Sequence, residues 1–292
     1  MAIGITGAGG QLGSGVLRYA SERASPNEIV AITRHPEKVE AVAKKGVRVR
    51  RGDFADPSTL PSAFEGLERL LIIPLPDLVP GVRPPLHKQA IEAAVRAGVR
   101  RIVDISTVGA RAGSRDGILE THFATEQAVI ASGASWAFLR MGPYTGFLLN
   151  GVNAALESGT YAAVDGAPSA SVVRDDVAAA GAGLLTASGY EGATLHATGP
   201  ASVTHAQIAD IVSRSAGRPI RYSPLTIEQF EANLRSAGLP PPVIDVLSRF
   251  QAAARDGCFD LVTHDVERLS GRPAESVESF LTRTLKAASG RG

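Results

Sequence analysis

Gly7, Gly10 and Gly13 recur at every third residue in Thr6-Gly7-Ala8-Gly9-Gly10-Gln11-Leu12-Gly13, where a β-rich apolar run gives way to a helical pattern. In that setting each glycine has a task. Gly7 permits a tight turn, Gly10 lets backbone amides approach an anion, and Gly13 lets helix and strand pack closely. The free amides and positive end of the helix then hold a pyrophosphate, with Thr6, Gly9, Gln11 and Leu12 completing the loop. The second apolar run ends in Thr33-Arg34-His35. An acid at that point would bind ribose hydroxyls; Arg34, with His35 beside it, suits a 2′-phosphate instead. The loop thus predicts a pyridine dinucleotide, NADP(H) in preference to NAD(H). Gly52-Asp53-Phe54 is the expected adenine edge, where Asp53 either accepts from the exocyclic amine or caps the helix that begins at Pro57.

A hydride donor of this kind is commonly paired with a Tyr-x-x-x-Lys acid. The five tyrosines are Tyr19, Tyr144, Tyr161, Tyr190 and Tyr222, and four places on from them stand Arg23, Leu148, Asp165, Thr194 and Thr226. The pair is absent. Where it would lie, His122 and Glu126 share a helix face at i, i+4 spacing, so that His122 could donate a proton or orient substrate while Glu126 fixes its tautomer. A purely structural hydrogen bond is the competing reading. Tyr144 is a second candidate donor, or a packing residue at a helix start. Without a strong acid the easiest acceptors are those whose reduced form is a stabilised anion or a neutral molecule, such as quinones, conjugated cations and iminium-like dyes. The six histidines show no metal-ligand spacing, no Gly-x-Ser-x-Gly elbow occurs, and Cys258 reads as a buried, inert thiol.

These residues need a frame, and the apolar pattern supplies one. Strands are predicted over residues 2–6, 29–33, 47–51, 69–73, 101–105 and 135–139, and helices over 11–22, 36–45, 57–64, 84–97 and 117–132. That rhythm is a repeated βαβ unit and predicts an α/β Rossmann-type doubly wound parallel sheet. Ligands then sit at the carboxyl ends of its strands, which places Ile73, Pro74 and Leu75, and Ser106 and Thr107, beside the cofactor. Pro74, Leu75, Pro76, Met141, Pro143, Tyr144 and Phe147 become candidate walls for substrate, with ordinary core as the competing reading and Glu126 near them. Gly46 and Gly98 are expected left-handed helix ends. After Arg140 come a helix over 144–157, a helix over 175–187 and a strand over 193–197. Beyond Pro200 a helix capped by Thr204 and helical stretches after Pro224 and Pro241 predict a smaller lobe, with 240–242 as a turn. The division is residues 1–199, with a lobe excursion near 144–172, and residues 200–292.

Thirty basic and 29 acidic residues leave a net charge of +1, so no global field draws the chain to nucleic acid or anionic lipid, and no apolar window is long enough to span a bilayer. The single cysteine favours a reducing compartment, with the cytoplasm as the expectation. The expected partners are a small-molecule electron acceptor and a second copy of the chain in a homodimer.

Taken together, Thr6 to Gly13, Ala31-Ile32-Thr33-Arg34-His35-Pro36, Gly52-Asp53-Phe54, the helix around His87, Ser106-Thr107, His122-Phe123-Ala124-Thr125-Glu126, Arg140 to Tyr144 and Arg174-Asp175-Asp176 resemble the NmrA-like branch of the atypical short-chain dehydrogenases/reductases. The likeness is strongest to its bacterial NADPH-dependent quinone oxidoreductases and triphenylmethane reductase. It implies NADPH-dependent hydride transfer and a small carboxyl-terminal substrate lobe. Met141, where Asn is common, and Pro74-Leu75-Pro76, where small polar residues are common, depart from the pattern and bear on the acceptor. A pathway reductase for a ketone or imine, and an NADP(H)-sensing protein without turnover, are the alternative readings.

Overall fold

Seven strands join one parallel sheet whose inner apolar runs are covered on both faces: every residue of β1 (Ile3–Ile5), β2 (Ile29–Thr33) and β5 (Arg101–Thr107) is buried. The computed structural model describes residues 2–77, 79, 81–113 and 117–289. The remaining strands are β3 (Arg48–Arg51), β4 (Arg69–Ile72), β6 (Ser135–Met141), β7 (Thr160–Val164), β8 (Ala193–Ala197) and β9 (Arg221–Leu225). The large sheet has the order β3-β2-β1-β4-β5-β6-β8, so the chain reverses direction across the sheet between β1 and β4. A ligand crevice is expected at that switch. β5 and β6 continue to Thr107 and Met141, beyond the predicted ends, which puts both residues at the rim of the crevice.

The helices are α1 (Gln11–Ala20), α2 (Glu40–Ala43), α3 (Leu60–Phe64), α4 (Arg83–Arg96), α5 (Ile118–Ala131), α6 (Leu148–Ser158), α7 (Arg174–Thr186), α8 (His205–Ala216), α9 (Ile227–Ser236), α10 (Pro241–Arg255), α11 (Asp265–Ser270) and α12 (Val277–Ser289). α1, α7 and α11 cover one face through Leu12, Val16, Val177, Leu184 and Leu269. α3, α4 and α5 cover the other through Phe64, Ile91, Ala94 and Val129. The helices predicted from Pro36 and Pro57 each begin as a 3-10 turn, with the proline in the first turn. Gly46 and Gly98 have φ of 91° and 92°, as expected of helix ends.

The smaller lobe holds a feature that the sequence pattern hid: β7 and β9 form a two-stranded parallel sheet. Pro224 lies within β9, which a sheet made only of edge strands tolerates. α6, α8 and α12 close over it with Val152, Ile208, Val212 and Leu281 clustered with Tyr161 of β7. Thr204 caps α8 through the amide of Gln207, as predicted. The expected turn at 240–242 is instead a cap at Pro240 and a first helical turn that contains Pro241 and Pro242, where their missing amides cost nothing. α11 leaves the lobe and returns to the large domain, where Val266 and Leu269 join its core. Cys258 is half-buried rather than buried, with Nη1 of Arg111 at 3.5 Å from its Sγ. No helix among the described residues is long and apolar enough to cross a membrane.

Candidate active site

One cleft of about 1340 Å³ runs from the glycine loop, along the carboxyl ends of the strands, to the inner face of the lobe. At its first end Gly7 turns the chain with φ of 61°, and α1 begins at Gln11 with Gly10 as its cap. A Cβ on Gly13 would lie 2.2 Å from the carbonyl oxygen of Gly7, so the close crossing of loop and helix requires glycine there. Thr6, Gly7, Gly9, Gly10, Gln11, Leu12 and Gly13 all line the cleft. Arg34 and His35 lie exposed at the end of β2, joined by Lys38 from the following turn. Arg34 forms no ion pair among the described residues; His35 pairs with Glu37 at 3.2 Å. Helix amides at a glycine cradle, with two further cations at the ribose end, fit the anionic groups of NADP(H). Lys38 was legible one turn after Arg34 but was not singled out.

Asp53 does not cap the helix that follows. Its carboxylate accepts from the amide of Ala55 at 3.0 Å, while Gly52 and Phe54, not Asp53, face the cleft. The helix at Pro57 is preceded by Asp56, whose side chain makes no cap bond.

The middle of the cleft is shaped by buried polar pairs. Thr6 donates to the carbonyl of Leu71 at 3.2 Å and accepts from the amide of Ile73 at 2.9 Å, which ties the ends of β1 and β4 together. Next along the chain the amide of Leu75 donates to Nε2 of His87 at 3.2 Å. Nε2 is therefore unprotonated, and Nδ1 carries the hydrogen toward Oγ1 of Thr125 at 3.2 Å. Burial, with Arg83 nearby, pushes His87 down to about 3 and keeps it neutral. Pro74, Leu75 and Pro76 are thus held as a wall by a histidine on α4 that the sequence reading did not select.

Glu126 does not hold His122. It is 2% exposed and takes a two-pronged contact from Arg140, Nε to Oε1 at 2.8 Å and Nη2 to Oε2 at 2.6 Å, plus the hydroxyl of Ser106 at 2.5 Å. Glu126 and Ser106 are both spent inside this cluster and lie outside the cleft wall, contrary to the substrate and cofactor contacts expected of them. His122 instead faces Arg83: Nη1 lies 3.2 Å from Nε2. Since guanidinium only donates, His122 accepts with Nε2 and keeps its hydrogen on Nδ1. Burial first, then Arg83 and His87, hold His122 well below the ordinary histidine range, so it is a neutral imidazole and a poor acid.

Tyr144 follows β6 with Met141 and Pro143 on the same wall. Arg174 stacks over its ring at 4.7 Å and donates to Oε1 of Gln11 at 2.6 Å, bridging the acceptor side to the glycine loop. Burial raises the Tyr144 hydroxyl to about 12. Phe147 stands 66% exposed in the cleft, edge-on to Tyr144. Opposite lie Phe230 and Leu234 of α9 and Leu247 and Phe250 of α10, a lobe surface that no spacing rule ties to the glycine loop.

Residues 7–188 match the protein family described as NAD(P)H-binding. Quinone oxidoreductase 2 of Escherichia coli (strain K12) is 37% identical over 282 residues, covering 94% of this chain and 97% of that protein. A crystal structure of an NADPH-dependent quinone oxidoreductase from Escherichia coli complexed with NADPH superposes with a TM-score of 0.90 at 34% identity, over 97% of this chain and 99% of that one. Citrobacter sp. triphenylmethane reductase complexed with NADP(H) superposes at 0.86 and 30% identity, over 99% and 100%.

Proposed function

This chain belongs to the NAD(P)H-binding family and is an NADPH-dependent oxidoreductase, and we propose that it passes hydride to a quinone-like or conjugated acceptor without a dedicated proton donor. The observation that carries this is the character of the groups where the two ends of the cleft meet. His122 is neutral with its Nε2 occupied by Arg83, and the Tyr144 hydroxyl is held at about 12. Neither gives up a proton readily at neutral pH. An unactivated ketone would become a strongly basic alkoxide and needs such a proton; a quinone becomes a stabilised anion and does not.

Size supports the same reading. Ligand pockets usually hold about 300–1,000 Å³, and a cleft of about 1340 Å³ has room for a second molecule beside a dinucleotide. Phe147, Phe230, Leu234, Leu247 and Phe250 give that second molecule an apolar bed. The names of the relatives, for quinones and for triphenylmethane, point to acceptors of this class. NADPH, when bound, supplies the hydride; the protein supplies proximity and exclusion of water.

Single-turnover oxidation of bound NADPH tests the proposal. A benzoquinone should be reduced by wild type and by His122→Gln at rates within about threefold of each other, whereas loss of a true proton donor costs about 10²-fold to 10⁴-fold. Reduction of simple ketones in preference to quinones, with that larger loss in His122→Gln, would establish a ketone reductase instead. Tight NADPH binding with turnover of no acceptor would overturn the proposal.

A further inference from the structure

Arg83 is only 5% exposed, yet its guanidinium makes no ion pair among the described residues. A guanidinium has five N–H donors. Here Nη1 donates to His122 and Nη2 to the carbonyl of Asp77 at 3.1 Å, while the Nε hydrogen has no partner among the described residues. Its position is also unfavourable. Arg83 is the first residue of α4, at the positive end of the helix, and the first turn, which contains Pro84 and Pro85, holds no acid. Asp104 and Asp77 attract it only from a distance, and burial drives Asp104 itself toward the neutral acid.

Two hydrogen bonds to neutral acceptors do not offset the burial of a cation that has no ion-pair partner among the described residues and sits at the positive end of a helix. Arg83 does line the cleft, with Leu75 and His122. The cost of keeping it there is recovered when negative charge arrives in the cleft.

We propose that Arg83 is a catalytic residue whose guanidinium stabilises the oxygen anion that a quinone acquires on reduction. This rests on the acceptor class proposed above. A quinone that takes hydride from the bound dihydronicotinamide forms a new bond to hydrogen with that electron pair, and NADPH becomes NADP⁺. One carbonyl π pair moves onto oxygen, which is an anion until water protonates it. The charge therefore develops during the transfer, beside Arg83, where a fixed cation in a dry site lowers the barrier most. His122 accepts from Nη1, a contact that the side-chain oxygen of glutamine also makes, so the guanidinium keeps its place in His122→Gln.

Two acceptors separate this role from a structural one. A quinone gains a negative charge on reduction; a cationic triarylmethyl dye loses a positive one and ends neutral. Arg83→Gln should therefore slow quinone reduction by about 10²-fold and speed dye reduction, since the repulsion between guanidinium and dye is gone. Arg83→Lys should recover much of the quinone rate. Equal loss with both acceptors would overturn the role of Arg83 and leave the acceptor class standing, whereas a wild type that reduces neither would overturn the acceptor class.

A second readout needs no turnover. 4-Nitrophenol bound to the NADP⁺-loaded wild type should be held as the coloured phenolate at a pH where it is mostly neutral in water, and Arg83→Gln should reverse this. Capture of the neutral phenol by the wild type would overturn the proposal even if Arg83→Gln fails to fold.

Discussion

The two ends of the cleft are built on opposite principles. At the glycine loop the binding groups are backbone amides and exposed cations within one βαβ unit, residues 6–38. At the acceptor end they are buried side chains brought together from α4, α5, the end of β6 and the lobe helices α9 and α10. The first arrangement is cheap, because amides at a helix start are unpaired in any case. The second is costly: His87, His122, Arg83 and Asp104 are all 5% exposed or less, and the two carboxylate oxygens of Asp104 have no hydrogen-bond partner among the described residues. A cofactor shared by many reductases needs the cheap end alone. On the proposed reading, the expensive end is where the acceptor is selected.

If the ends are separable, damage to one should spare the other. The largest effect is expected from Gly10→Val. A Cβ there meets only the Gly7 carbonyl oxygen at 3.2 Å, so the fold survives, but the side chain stands where the pyrophosphate must come. Calorimetry should find no NADPH binding, with a native circular-dichroism spectrum and quinone binding at the lobe retained. Loss of both ligands together would show that the ends are one site. Arg34→Ala should act less strongly, removing most of the preference for NADPH over NADH, a difference of about 1.5 to 3 kcal/mol for a charge-assisted contact. Lys38 sits close by, so a residual preference that vanishes in Arg34→Ala/Lys38→Ala would apportion the phosphate between them. Equal wild-type affinity for the two cofactors breaks the assignment.

The same contrast explains what could be read from the sequence. Gly7, Gly10 and Gly13 announce their geometry through spacing, and β1, β2 and β5 through unbroken apolar runs. His122 was visible as a histidine on a helix face, but its partner was not. Spacing of i, i+4 offered Glu126, while the fold gave Glu126 to Arg140 and brought Arg83 from 39 residues away. Local periodicity says which residues share a face; it cannot say which residue of another helix will meet them. β7 and β9 were missed for a related reason. Each is a five-residue segment without clean alternation, one interrupted by Pro224, and their pairing spans about sixty residues of intervening chain that include β8 of the large sheet.

The smallest effect expected concerns what the buried end costs in acid. His87 is held at about 3 and His122 well below the ordinary histidine value of 6.5, in both cases chiefly by burial. In the unfolded chain both take up a proton near pH 6.5, while in the fold they do not until far lower. The unfolded state therefore binds more protons across that window, and stability falls as pH falls from about 6.5 toward 3, by up to about 1.4 kcal/mol per pH unit for each histidine. Asp104 opposes this. Its carboxyl is raised well above 3.8, so the folded state keeps a proton that the unfolded chain loses, and its contribution becomes more favourable on acidification. Two depressed histidines against one raised carboxyl leave a net loss. Urea midpoints between about pH 7 and pH 4.5 should fall for the wild type, fall less steeply for His87→Gln, and fall more steeply for Asp104→Asn. Identical slopes in all three would mean that these groups are not held as the fold implies, and the acceptor end would then be no more expensive than the glycine loop.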